Sequence, residues 1–191
     1  GASEDSAIAP ARIRALTAVS NLAAYPGADG VLLWTAVTTR GYLFLWGADE
    51  FRLGRPTQRS VAHLEARVVQ EPCVLGRFVR QGISVTAVAC GTTHAVALAG
   101  GGAVFQWGLV EALGAGVTGW ATAGEFAVLP EPALVELPEP TAQVAAARHS
   151  SFAVSARGAV VGWDLLEVEA NTAPLQVRPG LYGLRGAAGT G

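Results

Sequence analysis

Apolar runs recur along this chain in pairs, and each pair brackets a glycine. WTAVTTRGYLFLWG spans residues 34–47, HAVALAGGGAVFQWG spans 94–108 and SSFAVSARGAVVGWD spans 150–164. In each, a β-prone run reaches Gly41, Gly102 or Gly158, and a second run ends on Trp46, Trp107 or Trp163. Two short runs around a glycine turn predict a β-hairpin. Glycine supplies the positive φ that such turns need. The three Trp fall 61 and 56 residues apart. A regular spacing of that order is the mark of a repeat architecture.

A further run precedes each hairpin: Thr86–Gly91 for the second and Gln143–Ala147 for the third. Thr17–Ser20 serves the first, across an insertion at Asn21–Gly30. Pro-led segments lie further upstream, at Pro10–Ile13, Pro72–Leu75 and Pro132–Leu137. Proline is tolerated at a strand start or on an edge strand. Grouping each Pro-led segment with the hairpin that follows it gives units of three or four strands, the content of one propeller blade.

Val88–Leu98, VACGTTHAVAL, followed by Gly102–Gly108, GAVFQWG, resembles the repeat of the RCC1 (regulator of chromosome condensation) family. Trp46–Gly54, WGADEFRLG, is similar to the family's loop after WG, one residue short, with Asp49 and Arg52 at its Asn and Gln positions. After the second copy that loop shrinks to Leu109–Gly114, and in the third Asp164 replaces the glycine. The resemblance covers residues 10–180 and is strongest in the second copy. It implies an all-β chain: an incomplete or fragmentary RCC1-like β-propeller of three to four blades. On this reading residues 1–9 are an N-terminal tail, 10–180 the repeats and 181–191 a Gly-rich C-terminal tail. The family closes a ring of seven blades, which three copies cannot supply. The chain is therefore a fragment, an incomplete propeller, or a part whose ring another chain completes. An open arc leaves blade edges and apolar faces exposed, and both invite pairing.

Composition fits a buried β structure. Of 191 residues, 51% are hydrophobic and mean hydropathy is +0.37, which argues against disorder. All 13 basic residues are Arg, and Met is absent. The absence of Met marks the chain as processed or as an excerpt, and Gly1–Pro10 does not read as a signal peptide. Residues 81–110 carry no charge, but Gly, Gln and His interrupt them, so they do not read as a membrane span. Cys73 and Cys90 are too few for a disulfide scaffold and sit at apolar strand positions, which suggests buried free thiols. They fit a reducing compartment, and an intracellular location is favoured without being fixed. Residues 40–80 hold seven Arg against four acids, whereas 81–147 hold five Glu and no Arg. Such asymmetry can orient a partner. The net charge of −2 does not favour nucleic acid, whose binding grows with cationic contacts.

Few residues of the chain point to chemistry. Without Lys there is no phosphate-binding lysine and no Schiff base. His63, His94 and His149 show no metal-ligand spacing. His94 stands at a repeat position and is expected to hydrogen-bond within its blade. Gly114–Gly119 matches G-x-G-x-x-G, but Pro130 and Pro132 interrupt the βαβ unit that a dinucleotide site requires. Trp46, Trp107 and Trp163 recur at one position and read as packing between blades, while Trp34 and Trp120 lie off that register. No catalytic residue, metal site or cofactor is assigned. The leading expectation is a non-enzymatic interaction module that binds a protein or additional blades from another chain. Its candidate contact residues are Arg52, Arg55 and Arg59, on the loop after the first hairpin, and Trp120. The resemblance also implies two alternatives: guanine-nucleotide exchange on a Ran-like small GTPase, and association with RNA or chromatin.

Overall fold

The computed structural model describes residues 13–14, 16–26, 32–49, 67–109, 121–123, 126–147, 150–163 and 175–176. They form three antiparallel sheets. The first sheet runs in order through β1 (Val19–Pro26), β2 (Leu32–Thr38), β3 (Leu43–Asp49) and β4 (Arg67–Val74). A single helical turn, α1 (Gly76–Arg80), follows. The second sheet contains β5 (Val85–Cys90), β6 (His94–Ala99), β7 (Val104–Leu109), β8 (Ala121–Ala123) and β9 (Phe126–Val135), in the order β5-β6-β7-β9-β8. The third holds β10 (Thr141–Ala147), β11 (Ser150–Ser155), β12 (Val160–Trp163) and β13 (Leu175–Gln176). The predicted hairpins are β2–β3, β6–β7 and β11–β12.

The repeat holds to the level of single hydrogen bonds. Each first strand bulges at the same place, between Val19 and Asn21, Val85 and Ala87, and Thr141 and Gln143. The extra residue sharpens strand twist there. Each hairpin is closed by the same backbone bond: Thr38 to Tyr42 at 3.0 Å, Ala99 to Ala103 at 2.8 Å and Ser155 to Ala159 at 2.8 Å. The turn glycines Gly41, Gly102 and Gly158 have φ of +80°, +85° and +83°, a conformation that side chains rarely adopt.

Two boundaries differ from the sequence reading. The Pro-led segments at Pro72 and Pro132 close the blade before them rather than opening the blade after, while Pro10 lies outside the described residues. Pro72 lies in β4, which pairs with β3, and Pro132 lies in β9, which pairs with β7. Hydrophobic spacing cannot tell which neighbour a strand will pair with. Between Ala133 and Leu129, which pair with Gln106 and Gly108, the ladder slips. Pro130 and Pro132 lie within this slip, where proline's missing N–H is tolerated. In the first copy Asn21–Pro26 continues β1, so the insertion begins later than expected.

The sheets pack face to face in chain order. β1 and β2 meet β5, and β10 meets β5 and β6. One buried cluster fills the seam between the first and second sheets, built on Leu33, Leu45, Phe78, Phe105 and Trp107. Phe78 hangs from α1 and meets Phe105 and Trp107 edge-on, at ring-centroid distances of 5.2 and 6.3 Å. A second cluster, Val96, Leu98, Val104, Ala153 and Trp163, fills the seam between the second and third.

Candidate interaction surface

Alternation along each strand assigns its residues to two faces. On the second sheet Ala95, Ala97, Phe105 and Trp107 point to the first sheet, while Val96, Leu98 and Val104 point to the third. The packing therefore has a direction: the Trp face of each blade sits on the opposite face of the blade before it. Trp163 obeys the same rule by facing the second blade.

Polar side chains at repeat positions complete these seams. His94, fully buried, hydrogen-bonds through Nε2 to Ser151 Oγ at 2.8 Å. Trp163 Nε1 donates to Gln106 Oε1 at 2.8 Å. Both bonds cross from the second blade to the third. Where a bond within the blade was expected of His94, its Nε2 reaches the neighbouring sheet. In the first seam Val88 N donates to Asn21 Oδ1 at 2.9 Å, and Thr35 Oγ1 lies 3.5 Å from Cys90 Sγ. Burial pushes the Cys90 thiol up to about 12, against a smaller lowering by the Thr35 hydrogen bond. That thiol is inert at neutral pH. Cys73 is exposed on β4 and Cys90 is half-buried, so the expectation of burial fails at Cys73. No group of three potential metal ligands occurs among the described residues, and no described helix could cross a membrane.

The family model of the regulator of chromosome condensation (RCC1) repeat matches residues 40–98. Residues 40–98 carry an RCC1 repeat. Its three sheets are RCC1-like β-propeller blades, and the solved structures that it resembles agree. Yeast RCC1 (Prp20), solved with Kap60, matches at TM-score 0.55 and 21% identity over 69% of this chain and 30% of that one. Human WBSCR16 matches at TM-score 0.54 and 19% identity, with coverage of 69% and 30%. A Saccharomyces cerevisiae Prp20p structure, described with its binding to Gsp1p and histones, matches at 0.55 and 21%, over 69% and 31%. The chain thus spans about 30% of the length of these neighbours, and at such identities the likeness concerns fold. No curated protein sequence matches significantly.

The RCC1-like blades place the candidate residues unevenly. Arg52, Arg55, Arg59 and Trp120 lie outside the described residues, as do His63, His149, Glu50 and the Gly114–Gly119 motif. Trp107 and Trp163 are buried packing residues. Trp46 is only half-buried, because it stands on the Trp face of the first blade. Trp34 stacks on it, with centroids 6.3 Å apart and planes 15° apart. Leu22 and Val74 share this face and are 56% and 40% exposed. Sequence reasoning passed over Trp34 as off-register. The register pairing Trp34↔Trp46 brings the two rings together, and the alternation of β2 carried that signal.

Beyond the seams, Glu131 on β9 bridges Arg77 at 3.1 Å and Arg80 at 3.4 Å, tying α1 to the outer part of the second blade.

Proposed function

We propose that this chain is a non-enzymatic interaction module, an RCC1-like propeller segment that acts as a scaffold or as a subunit of a larger assembly. One observation carries the reading: on one face of the first blade Leu22 and Val74 are exposed beside the stacked Trp34 and Trp46. Open apolar patches of this kind mark association sites. Polar side chains that could otherwise serve chemistry, His94 and Gln106, are held inside a seam. We take residues 10–180 as the repeat region between two short tails. We take Arg52, Arg55, Arg59 and Trp120 as loop contacts carried on rigid blades.

The test is a photo-crosslinking amino acid at Arg55, used in cells. Protein adducts that disappear when Arg52 and Arg59 are changed to Glu are the expected result. Adducts to nucleic acid alone would move the reading to RNA or chromatin association.

A second reading is guanine-nucleotide exchange on a Ran-like GTPase. It draws on the neighbour Prp20p, whose structure was described with its binding to Gsp1p. A fluorescent GDP analogue loaded on such a GTPase decides between the two. Faster release with the purified chain would favour exchange, whereas the scaffold reading expects an unchanged rate.

A further inference from the structure

Burial changes abruptly at the outer end of the first seam. Leu45 on β3 and Phe105 on β7 belong to the buried cluster that fills it. Their ladder partners one strand further out, Cys73 on β4 and Leu134 on β9, are both exposed, Leu134 by 58%. Directly opposed residues of a strand pair share a face. Cys73 and Leu134 therefore stand on the two sheet faces that meet in this seam. The outer strands diverge there and leave a mouth between two neighbouring blades. Both walls belong to the described residues, so the opening does not depend on what precedes the first sheet or follows the third.

α1 lies in this mouth, and its charge is unbalanced. Phe78 points inward to Phe105 and Trp107, whereas its neighbour Val79 is exposed. Arg77 and Arg80 converge on Glu131 of β9. Glu131 gives one carboxylate oxygen to each guanidinium, Oε2 to Arg77 and Oε1 to Arg80, so it forks onto neither. Among the described residues no other acid bridges these two arginines, whereas Arg157 and Glu139 pair one to one. Arg77 Nε is buried without an acceptor. Arg80 folds back over the start of α1, where a Cβ on Gly76 would lie 3.0 Å from its Nη1. Its side chain is still 58% exposed. Arg80 thus presents a positioned guanidinium with N–H groups to spare. Such a planar fork matches a carboxylate bidentately, and being positioned it loses little freedom on binding.

We propose that the outer mouth of the first seam is a docking site for an acidic, aliphatic segment of a partner protein. A carboxylate of that segment pairs with Arg80 and balances the cations that Glu131 alone now serves. An aliphatic side chain two residues away covers Leu134 and Val79, since residues i and i+2 of an extended chain project to one side. Two features select this occupant. The excess positive charge selects an acid, and the exposed aliphatic side chains beside it select a protein segment over a small anion. The proposal rests on the reading of the chain as an interaction module and gives that module a surface apart from its loops.

The test is an amide-correlation NMR titration of the full chain with the peptide GSEGLGS at low salt, a method that registers weak binding. Two control peptides replace its Glu by Gln and its Leu by Ser. The expected result is a saturable shift of the Val79, Arg80 and Leu134 amides. Either control, and either of the variants Arg80→Gln and Leu134→Ser, should weaken binding about tenfold or more, the scale of a lost charge-assisted bond or a lost aliphatic contact. Both protein sites are exposed, so each variant should retain the wild-type circular dichroism. No binding by the wild-type chain, or binding indifferent to Arg80→Gln, would overturn the proposal. Equal binding of the Ser control would reduce the mouth to a simple anion site and overturn it as well. Crosslinking from Arg55 is untouched by these substitutions. Failure here therefore leaves the interaction-module reading standing, whereas an absence of protein adducts from Arg55 counts against that reading itself.

Discussion

The two seams join blades of one repeat and hold them together by different physics. Fourteen buried residues form the cluster at the first seam and five form that at the second. The first seam gains α1, whose Phe78 adds an aromatic wedge against Phe105 and Trp107. Among the described residues the second has no such wedge and is crossed by the buried polar bonds His94–Ser151 and Gln106–Trp163. An apolar seam tolerates small adjustments of packing. A polar seam depends on keeping each partner, since a buried group left unpaired pays its full desolvation penalty. The same fold position is thus Leu33 where burial dominates and His94 where a specific contact does.

The largest effect should come from the first seam. Trp107→Ala removes a fully buried ring and should destabilise the protein by about 3–5 kcal/mol. Urea unfolding measures this, and a loss near that of a surface substitution would mean that the seam is not a unit.

The second seam should answer to partner loss rather than volume loss. Ser151→Ala should cost about 1–3 kcal/mol by removing the hydroxyl that bonds His94 Nε2 across the seam. Adding His94→Leu copies the Leu33/Ala95 pair of the first seam and should recover part of that loss. A double variant no more stable than Ser151→Ala would show that the two seams are not interchangeable.

The first seam should also respond to alkaline pH. Cys90 has a folded-state value of about 12 against an ordinary 9.0, because burial disfavours the thiolate. The unfolded thiol therefore ionises first. The stability contribution of the neutral thiol is fully present below pH 9 and is lost as pH rises from 9 to 12. Cys90→Ala should flatten this part of the stability profile relative to the wild-type chain. The same shift lowers the thiolate fraction about a thousandfold at neutral pH. An aromatic disulfide reagent should therefore modify the exposed Cys73 first and Cys90 only on opening of the seam, and two thiols reacting at equal rates would contradict this packing.

The smallest effect belongs to the periphery of the first seam. Glu131→Gln breaks the bridges to Arg77 and Arg80, but these groups are partly solvated, so the cost should be under about 1 kcal/mol. A salt titration of the wild-type chain should show a similarly small change.

The sequence by itself determined the repeat, the three hairpins, their turn glycines and the recurrent Trp. These are local facts, because alternation and a glycine that must adopt positive φ depend on neighbours a few residues away. It misassigned the Pro-led strands, because β4 and β9 pair backward onto β3 and β7, and nothing in Pro72 or Pro132 encodes direction. It gave no sign of α1, where only Phe78 and Val79 stand between Arg77 and Arg80. Four residues chosen for contact, Arg52, Arg55, Arg59 and Trp120, fall outside the described structure, so the loops remain where reading began.

Only the tertiary structure decided which face of each strand meets which neighbour. That choice turns His94 from a residue of one blade into a bond between two. It also turns Trp34, off-register in sequence, into half of an exposed aromatic stack. The physical reason is that period-two alternation assigns every side chain to one of two faces, but packing against a second sheet alone decides which face is core and which is left open.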